Sequence, residues 1–152
     1  VENHFGWTMV YTRWLTPENF AKGPAHFFDQ MPPTVQENVR REAQGRVAES
    51  VRAVGVGRHA EAEILALGVR SLAALSALLG DKPFMMGPRP TSVDAVAFGM
   101  LAGVLTPFFE APLRDRAMTF GNLTAYVDHM MAGIYPEFAW TPLNLPAQRV
   151  AA

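Results

Sequence analysis

Cysteine is absent from the 152 residues of this chain. Disulfides, thiolate metal sites and cysteine nucleophiles are therefore excluded within the sequence. Charge of one sign is also not in excess, because 13 basic residues stand against 14 acidic ones. This balance does not favour nucleic acid as a partner. A chain without cysteine is typical of a reducing compartment, so we expect a cytoplasmic protein.

Long hydrophobic runs are missing too. The longest stretch without a charged residue lies between Asp94 and Glu110 and has 15 residues. A membrane span needs about 18 or more, so we predict a buried core helix there and no membrane span. The start of the chain carries Glu2, unlike the basic first region of a secretory signal, and no signal peptide is predicted.

The alternation of apolar and polar residues that indicates β-strands is nearly absent, while helical spacing recurs along the chain. Hydrophobic residues make up 49% of the sequence, enough for one core in a domain of this size. We predict an all-α bundle with about five main helices around a central buried helix. The predicted helices cover residues 3–15, 34–54, 60–79, 92–106 and 122–134, with a short helix within 110–118.

Proline and glycine mark the remaining segments. Residues 17–33 are expected to form an ordered connector with one short turn of helix, and Gly80 is expected to end the helix over 60–79. We place one domain over 1–136 and an extended tail over 137–152, held by Phe138 and Trp140.

The segment around Thr91 predicts how the central helix begins. Thr91 is placed as its N-cap, with Asp94 three residues later, and both are read as a structural cap. In such a box the hydroxyl accepts from the later backbone N–H, while the carboxylate accepts from the N-cap N–H. The residues that follow are almost all apolar, so this helix is expected to be covered by other helices on every side.

Two further helices carry specific expectations. In the helix over 60–79, Leu72 and Leu78 fall on the predicted buried side, and Gly68 is small enough to let another helix approach. In the last helix, Asn122 is predicted as the N-cap.

The first helix carries aromatic side chains on one face, namely Trp7, Tyr11 and Trp14. Aromatic groups with a polar tip suit a ligand pocket, and core packing or contact with another domain is the alternative. Arg13 lies off this face and is expected to be solvated, with binding of a carboxylate as the alternative.

The sequence offers no metal site and no catalytic residue. His59 and Glu63 lie four residues apart, but one histidine and one carboxylate are too few ligands for a metal. Polarity at the start of a helix explains them better. No nucleophile-elbow sequence frames any serine, so hydrolase chemistry is not predicted.

The stretch from Gly80 to Ala95 resembles the helix-start box of the glutathione transferase C-terminal domain. Three other stretches resemble the branch of that superfamily that includes metaxins and failed-axon-connections proteins. They are Trp7–Trp14, Gly57-Arg58-His59 with Glu63-Ile64, and Gly121-Asn122-Leu123 with Tyr126 and Met130. The resemblance covers residues 1–136 and is strongest over 57–135.

This resemblance implies a larger parent protein in which a thioredoxin-like N-terminal domain precedes the helical bundle. In such proteins glutathione binds to the first domain, which also holds the tyrosine, serine or cysteine that activates its thiol. No such domain is recognisable in this sequence, so the chain alone is expected to be inactive. By the same resemblance, Trp7, Tyr11 and Trp14 border the pocket for the electrophilic substrate.

Two functional hypotheses follow from the resemblance. In the first, the chain is the substrate-side domain of a glutathione-transferase-like enzyme. In the second, it is a non-catalytic scaffold or interaction module of the metaxin kind. If the protein occurs naturally at this length, an exposed apolar face is expected to drive self-association through the first helix, with a homodimer as the simplest product.

Overall fold

The computed structural model describes residues 2–137. Within this range the chain forms seven α-helices and two short 3-10 helices, and no strand. The α-helices are α1 (Glu2–Trp14), α2 (Pro17–Lys22), α3 (Pro33–Ala53), α4 (Glu61–Leu79), α5 (Ser92–Leu105), α6 (Pro112–Ala117) and α7 (Gly121–Ile134). The all-α prediction is confirmed. The predicted tail lies outside the described residues from Phe138 onward.

The connector after α1 is more helical than predicted. It contains α2 and a 3-10 helix over Pro24–Phe28, where one turn was expected. Asn19, which is 2% exposed, fixes this segment because its side-chain nitrogen donates to the carbonyls of Thr12 and Glu110.

Helix α3 ends at Ala53, and Gly55 follows two residues later with a φ of +97°, in the left-handed region that favours glycine. Gly57 follows in the second 3-10 helix (Val56–Arg58). A Cβ there would lie 2.9 Å from the backbone nitrogen of Arg52, so the chain folds back tightly against α3.

The core has two parts. The larger cluster joins α1, α4, α5, α6 and α7 and includes the fully buried side chains of Phe5, Leu72 and Leu101. The smaller cluster consists of Val51, Val56 and Ile64, with Trp7 and Tyr11 packed against it. Helix α1 therefore lies between the two clusters and contacts both.

Helix α4 buries one side, as predicted for Leu72, and Gly68 allows the expected close approach. A Cβ at Gly68 would lie 2.7 Å from Leu113 of α6 and 3.4 Å from the Thr8 hydroxyl of α1. The prediction was wrong for Leu78, which is 45% exposed because it sits beyond the edge of the buried stripe.

By length and composition alone, α4 is apolar enough to cross a membrane. This differs from the prediction of no membrane span, which rested on the length of the longest uncharged stretch. The helix buries Leu72, Leu75 and Leu79 in the larger cluster. A core helix of a soluble protein passes the same test, so this is weak evidence for a span.

The helix predicted to be covered on every side is covered only in part. Helix α5 buries Asp94, Ala97 and Leu101, but Val93 and Val96 are 41% and 47% exposed. Among the described residues a Cβ at Gly99 would meet nothing within 4 Å. Apolar composition alone cannot distinguish a helix covered on all sides from one with an uncovered apolar face, and this explains the error.

Asn122 does not cap α7 as predicted, because the helix begins at Gly121 with Phe120 at the cap position. Its side-chain nitrogen donates to the carbonyls of Ser76 and Gly80, at 2.9 and 3.2 Å, and its oxygen accepts from the Ser76 hydroxyl at 2.8 Å. Asn122 therefore closes the C-terminal end of α4, whose last carbonyls lack partners within their own helix.

Candidate functional site

The start of α5 has the capping arrangement predicted from Thr91 and Asp94, with one difference. The Asp94 carboxylate accepts from the Thr91 backbone N–H at 2.8 Å, as predicted. The Thr91 hydroxyl, however, donates to the same carboxylate at 3.0 Å instead of accepting from the Asp94 N–H. A charged carboxylate is the stronger acceptor, so the hydroxyl turns toward it.

The Asp94 carboxylate also has two partners that the sequence did not predict. It accepts from the backbone N–H of Met85 at 2.8 Å and from the Tyr126 hydroxyl at 3.0 Å. One buried carboxylate thus joins the loop before α5, the start of α5 and helix α7.

These hydrogen bonds change the titration of both side chains. Burial by itself would raise the pKa of Asp94, but the bonds from Met85, Thr91 and Tyr126 favour the charged form, and the pKa lies below its ordinary value. Burial raises the pKa of Tyr126, and the hydrogen bond to Asp94 and its charge raise it further. The tyrosine therefore stays protonated and remains a donor at neutral pH.

We expect this network to make stability depend on pH in the acid range. Because the pKa of Asp94 is lower in the folded chain, its contribution is complete above the ordinary carboxyl value of 3.8 and disappears as the pH falls through the folded value. Unfolding free energies of the wild type and Asp94→Asn, measured from pH 7 to pH 2.5, should converge below about pH 4. A gap that stays constant down to pH 2.5 would contradict this, and Asp81→Asn is the matched control.

The other end of α5 is closed by two arginines. Arg13 of α1 donates to the carbonyl of Gly103 at 2.5 Å, and Arg114 of α6 donates to the carbonyl of Leu105 at 3.1 Å. The Arg13 guanidinium also lies 4.8 Å from the ring centroid of Phe109, and burial lowers its pKa. The expectation of a solvated Arg13 was therefore wrong, since it binds the negative end of a helix instead.

The three aromatic residues predicted to bind substrate lie in different places. Trp7 packs against the smaller core cluster. The ring centroid of Trp14 lies 5.9 Å from that of Phe20 and 6.1 Å from that of Phe27. Tyr11 packs against the smaller cluster and also lines a groove. The structure thus brings one of the three to a cavity.

This groove has a volume of about 490 Å³. It lies among α1, α2, the start of α4 and the start of α6. Its walls combine apolar side chains with hydroxyl, amide and carboxylate groups. They include Thr8, Tyr11, Thr12, Thr16, Asn19, Glu61, Ala62, Ile64, Leu65, Glu110, Pro112 and Leu113. The size falls within the range of small-molecule sites.

His59 and Glu63 behave as helix-start residues. The Glu63 carboxylate accepts from the backbone N–H of Ala60 at 2.8 Å and lies 3.6 Å from the His59 ring nitrogen. Across residues 2–137 no group of three or more potential ligands could hold a metal ion.

Comparison with known proteins identifies the class of this fold. Residues 68–130 match the family model of the glutathione S-transferase C-terminal domain. The matched stretch runs from within α4 to α7 and contains the Asp94 network. The chain therefore carries a helical domain of the glutathione S-transferase C-terminal type, as the helix-start box indicated.

The chain is similar to proteins from one branch of that superfamily. Failed axon connections of Drosophila melanogaster is 31% identical over 150 residues, covering 91% of this chain and 36% of the relative. Human Metaxin-2 is 29% identical over 86 residues, covering 56% of this chain and 33% of its own length. Human Metaxin-1 is 25% identical over 150 residues, covering 93% and 31%. The chain spans about a third of each of these relatives, which form the metaxin-like branch of that superfamily.

No solved structure matches the chain significantly.

Proposed function

We propose that this chain is the substrate-side helical domain of a glutathione-transferase-like protein. The observation that carries the proposal is the groove of about 490 Å³ beside α1, lined in part by Tyr11, in a domain of the glutathione S-transferase C-terminal type. Ile64, Leu65 and Leu113 supply an apolar wall, and the Tyr11 hydroxyl supplies a polar contact. Such a lining suits an apolar electrophile with a few polar atoms.

The thiol chemistry would come from outside this chain. Glutathione would bind to a thioredoxin-like domain, where a lowered thiol pKa produces the thiolate. The thiolate sulfur would attack the electrophilic carbon while the leaving group departs with its electron pair. The helical domain would position the electrophile and limit its contact with water, and the chain alone would have no transferase activity.

The uncovered face of α5 is the proposed contact for that thioredoxin-like domain. Val93 and Val96 are exposed on this face, and a surface that pairs with another domain accounts for such apolar exposure. Without the other domain, the same face would favour a homodimer. The proposed compartment is the cytoplasm, consistent with the absence of cysteine.

A non-catalytic scaffold remains the second candidate. It is favoured by the names of the relatives, since Metaxin-1, Metaxin-2 and Failed axon connections do not denote transferases. In this case the bundle would serve for packing and partner contact only, through the same face of α5.

The two candidates are separated by the behaviour of the full-length parent protein. A substrate-side domain predicts retention of the parent on immobilised glutathione and turnover of a chlorodinitrobenzene, while the 152-residue chain does neither. Filling the groove with Ala62→Trp should raise the KM for the electrophile by about tenfold with glutathione binding unchanged. A folded parent that neither binds glutathione nor turns over the electrophile would exclude the transferase and favour the scaffold.

A further inference from the structure

The charged residues around the groove are all of one sign. Glu61 in the first turn of α4 and Glu110 just before α6 both line it. The lining contains no lysine, arginine or histidine. Among the described residues, neither carboxylate takes part in an ion pair. Two acidic residues without an ion-pair partner among the described residues therefore line the same cavity.

Basic residues on the neighbouring elements have other partners. Arg13 and Arg114 donate to carbonyls at the end of α5 and line a smaller cleft, which shares Thr12 and Leu113 with the groove. The His59 ring lies 3.6 Å from the carboxylate of Glu63, the side chain that caps the start of α4. None of these three basic residues forms an ion pair with Glu61 or Glu110.

The floor of the groove is held in a fixed position. Asn19 is 2% exposed, and its side-chain nitrogen binds the backbone carbonyls of Thr12 in α1 and Glu110 before α6. The bond to Glu110 is 2.8 Å long and ties the segment that bears one of the carboxylates to the wall formed by α2. The cavity is therefore built by long-range contacts.

The remaining lining adds two features to the charge. Ile64 and Leu113 are buried and give the cavity an apolar wall, while Tyr11 and Thr16 bring hydroxyl groups to it. Hydroxyl and carboxylate oxygens accept hydrogen bonds from an ammonium group, and the apolar wall accommodates a hydrocarbon body. A carboxylate or phosphate ligand would instead meet like charge.

We propose that the groove binds a small amphiphilic amine, with its hydrocarbon part against Ile64, Leu65 and Leu113 and its ammonium group between Glu61 and Glu110. This deepens the proposed function, because it names the charge class of ligand for the same cavity. Binding itself needs only this chain and takes place without glutathione.

The test uses three probes with one hydrocarbon body, 4-phenylbutylamine, 4-phenylbutanol and 4-phenylbutyrate, titrated into the 152-residue chain and followed by calorimetry and amide chemical shifts. The amine should bind at least about tenfold more tightly than the acid, with the alcohol between them. Raising the salt from 20 to 300 mM should weaken amine binding by about twofold or more and leave the alcohol unaffected.

Variants locate the site and its charge. Glu61→Gln and Glu110→Gln should each weaken amine binding by about two- to fivefold, while Glu49→Gln on α3, outside the groove, should have no effect. Ala62→Trp should abolish binding of all three probes without changing the unfolding midpoint. Equal affinity for amine and acid, or no amine binding at millimolar concentration, would overturn the proposal. Neither result depends on whether the parent protein binds glutathione.

Discussion

Replacing Asp94 by alanine is expected to lower the free energy of unfolding by about 3–5 kcal/mol. The substitution removes the acceptor for the backbone N–H groups of Met85 and Thr91 and for the hydroxyls of Thr91 and Tyr126. Buried donors left without a partner retain their full cost of desolvation, and this makes the loss larger than for an exposed helix cap. Urea unfolding followed by circular dichroism measures the difference.

Asp81→Ala is the matched control, because Asp81 is an exposed residue in the same connector. It should change stability by less than about 0.5 kcal/mol. Tyr126→Phe removes a single hydrogen bond to the carboxylate and should fall between the two. A loss for Asp94→Ala no greater than that for Asp81→Ala would show that the buried network is not important for stability.

Replacing Phe5 by alanine is expected to cost about 3–5 kcal/mol as well. Phe5 has no exposed surface and lies in the larger core cluster, so the substitution leaves a cavity that the surrounding helices can fill only in part. The melting temperature should fall by about 10 °C. Calorimetry of the variant and the wild type gives the measurement.

Phe27→Ala serves as the comparison, since Phe27 is 75% exposed and packs mainly against Trp14. We expect a change of less than about 1 kcal/mol. Equal losses for the two phenylalanines would mean that α1 does not occupy the central position described above.

The local features of this fold could be predicted from the sequence, because their signals lie within a few residues. Thr91 and Asp94 are three apart, and the contact between the carboxylate and the Thr91 N–H follows from helix geometry. The bond from Tyr126 joins residues 32 positions apart. Neither residue carries a local mark of that pairing, so it could not be predicted from one sequence.

The same limit applies to the candidate site. Trp7, Tyr11 and Trp14 share a helical face, but helix α1 lies between two core clusters, and the neighbouring helices decide which side chain borders a cavity. Glu61 and Glu110 were not predicted as lining residues, because exposed acids near helix starts are common and their meeting depends on the packing of α4 against α6.

Because α5 is covered only in part, substitutions on its two sides are constrained to different degrees. The inward side of the helix is tied to the rest of the bundle through Asp94 and Leu101, whereas a side chain at Gly99 would meet nothing within 4 Å. Substitutions on the outward side can accumulate without disturbing the interior. Evolution could therefore exchange what docks on the domain while conserving how it folds, and this is one route by which enzymes and adaptor proteins can share a single helical scaffold.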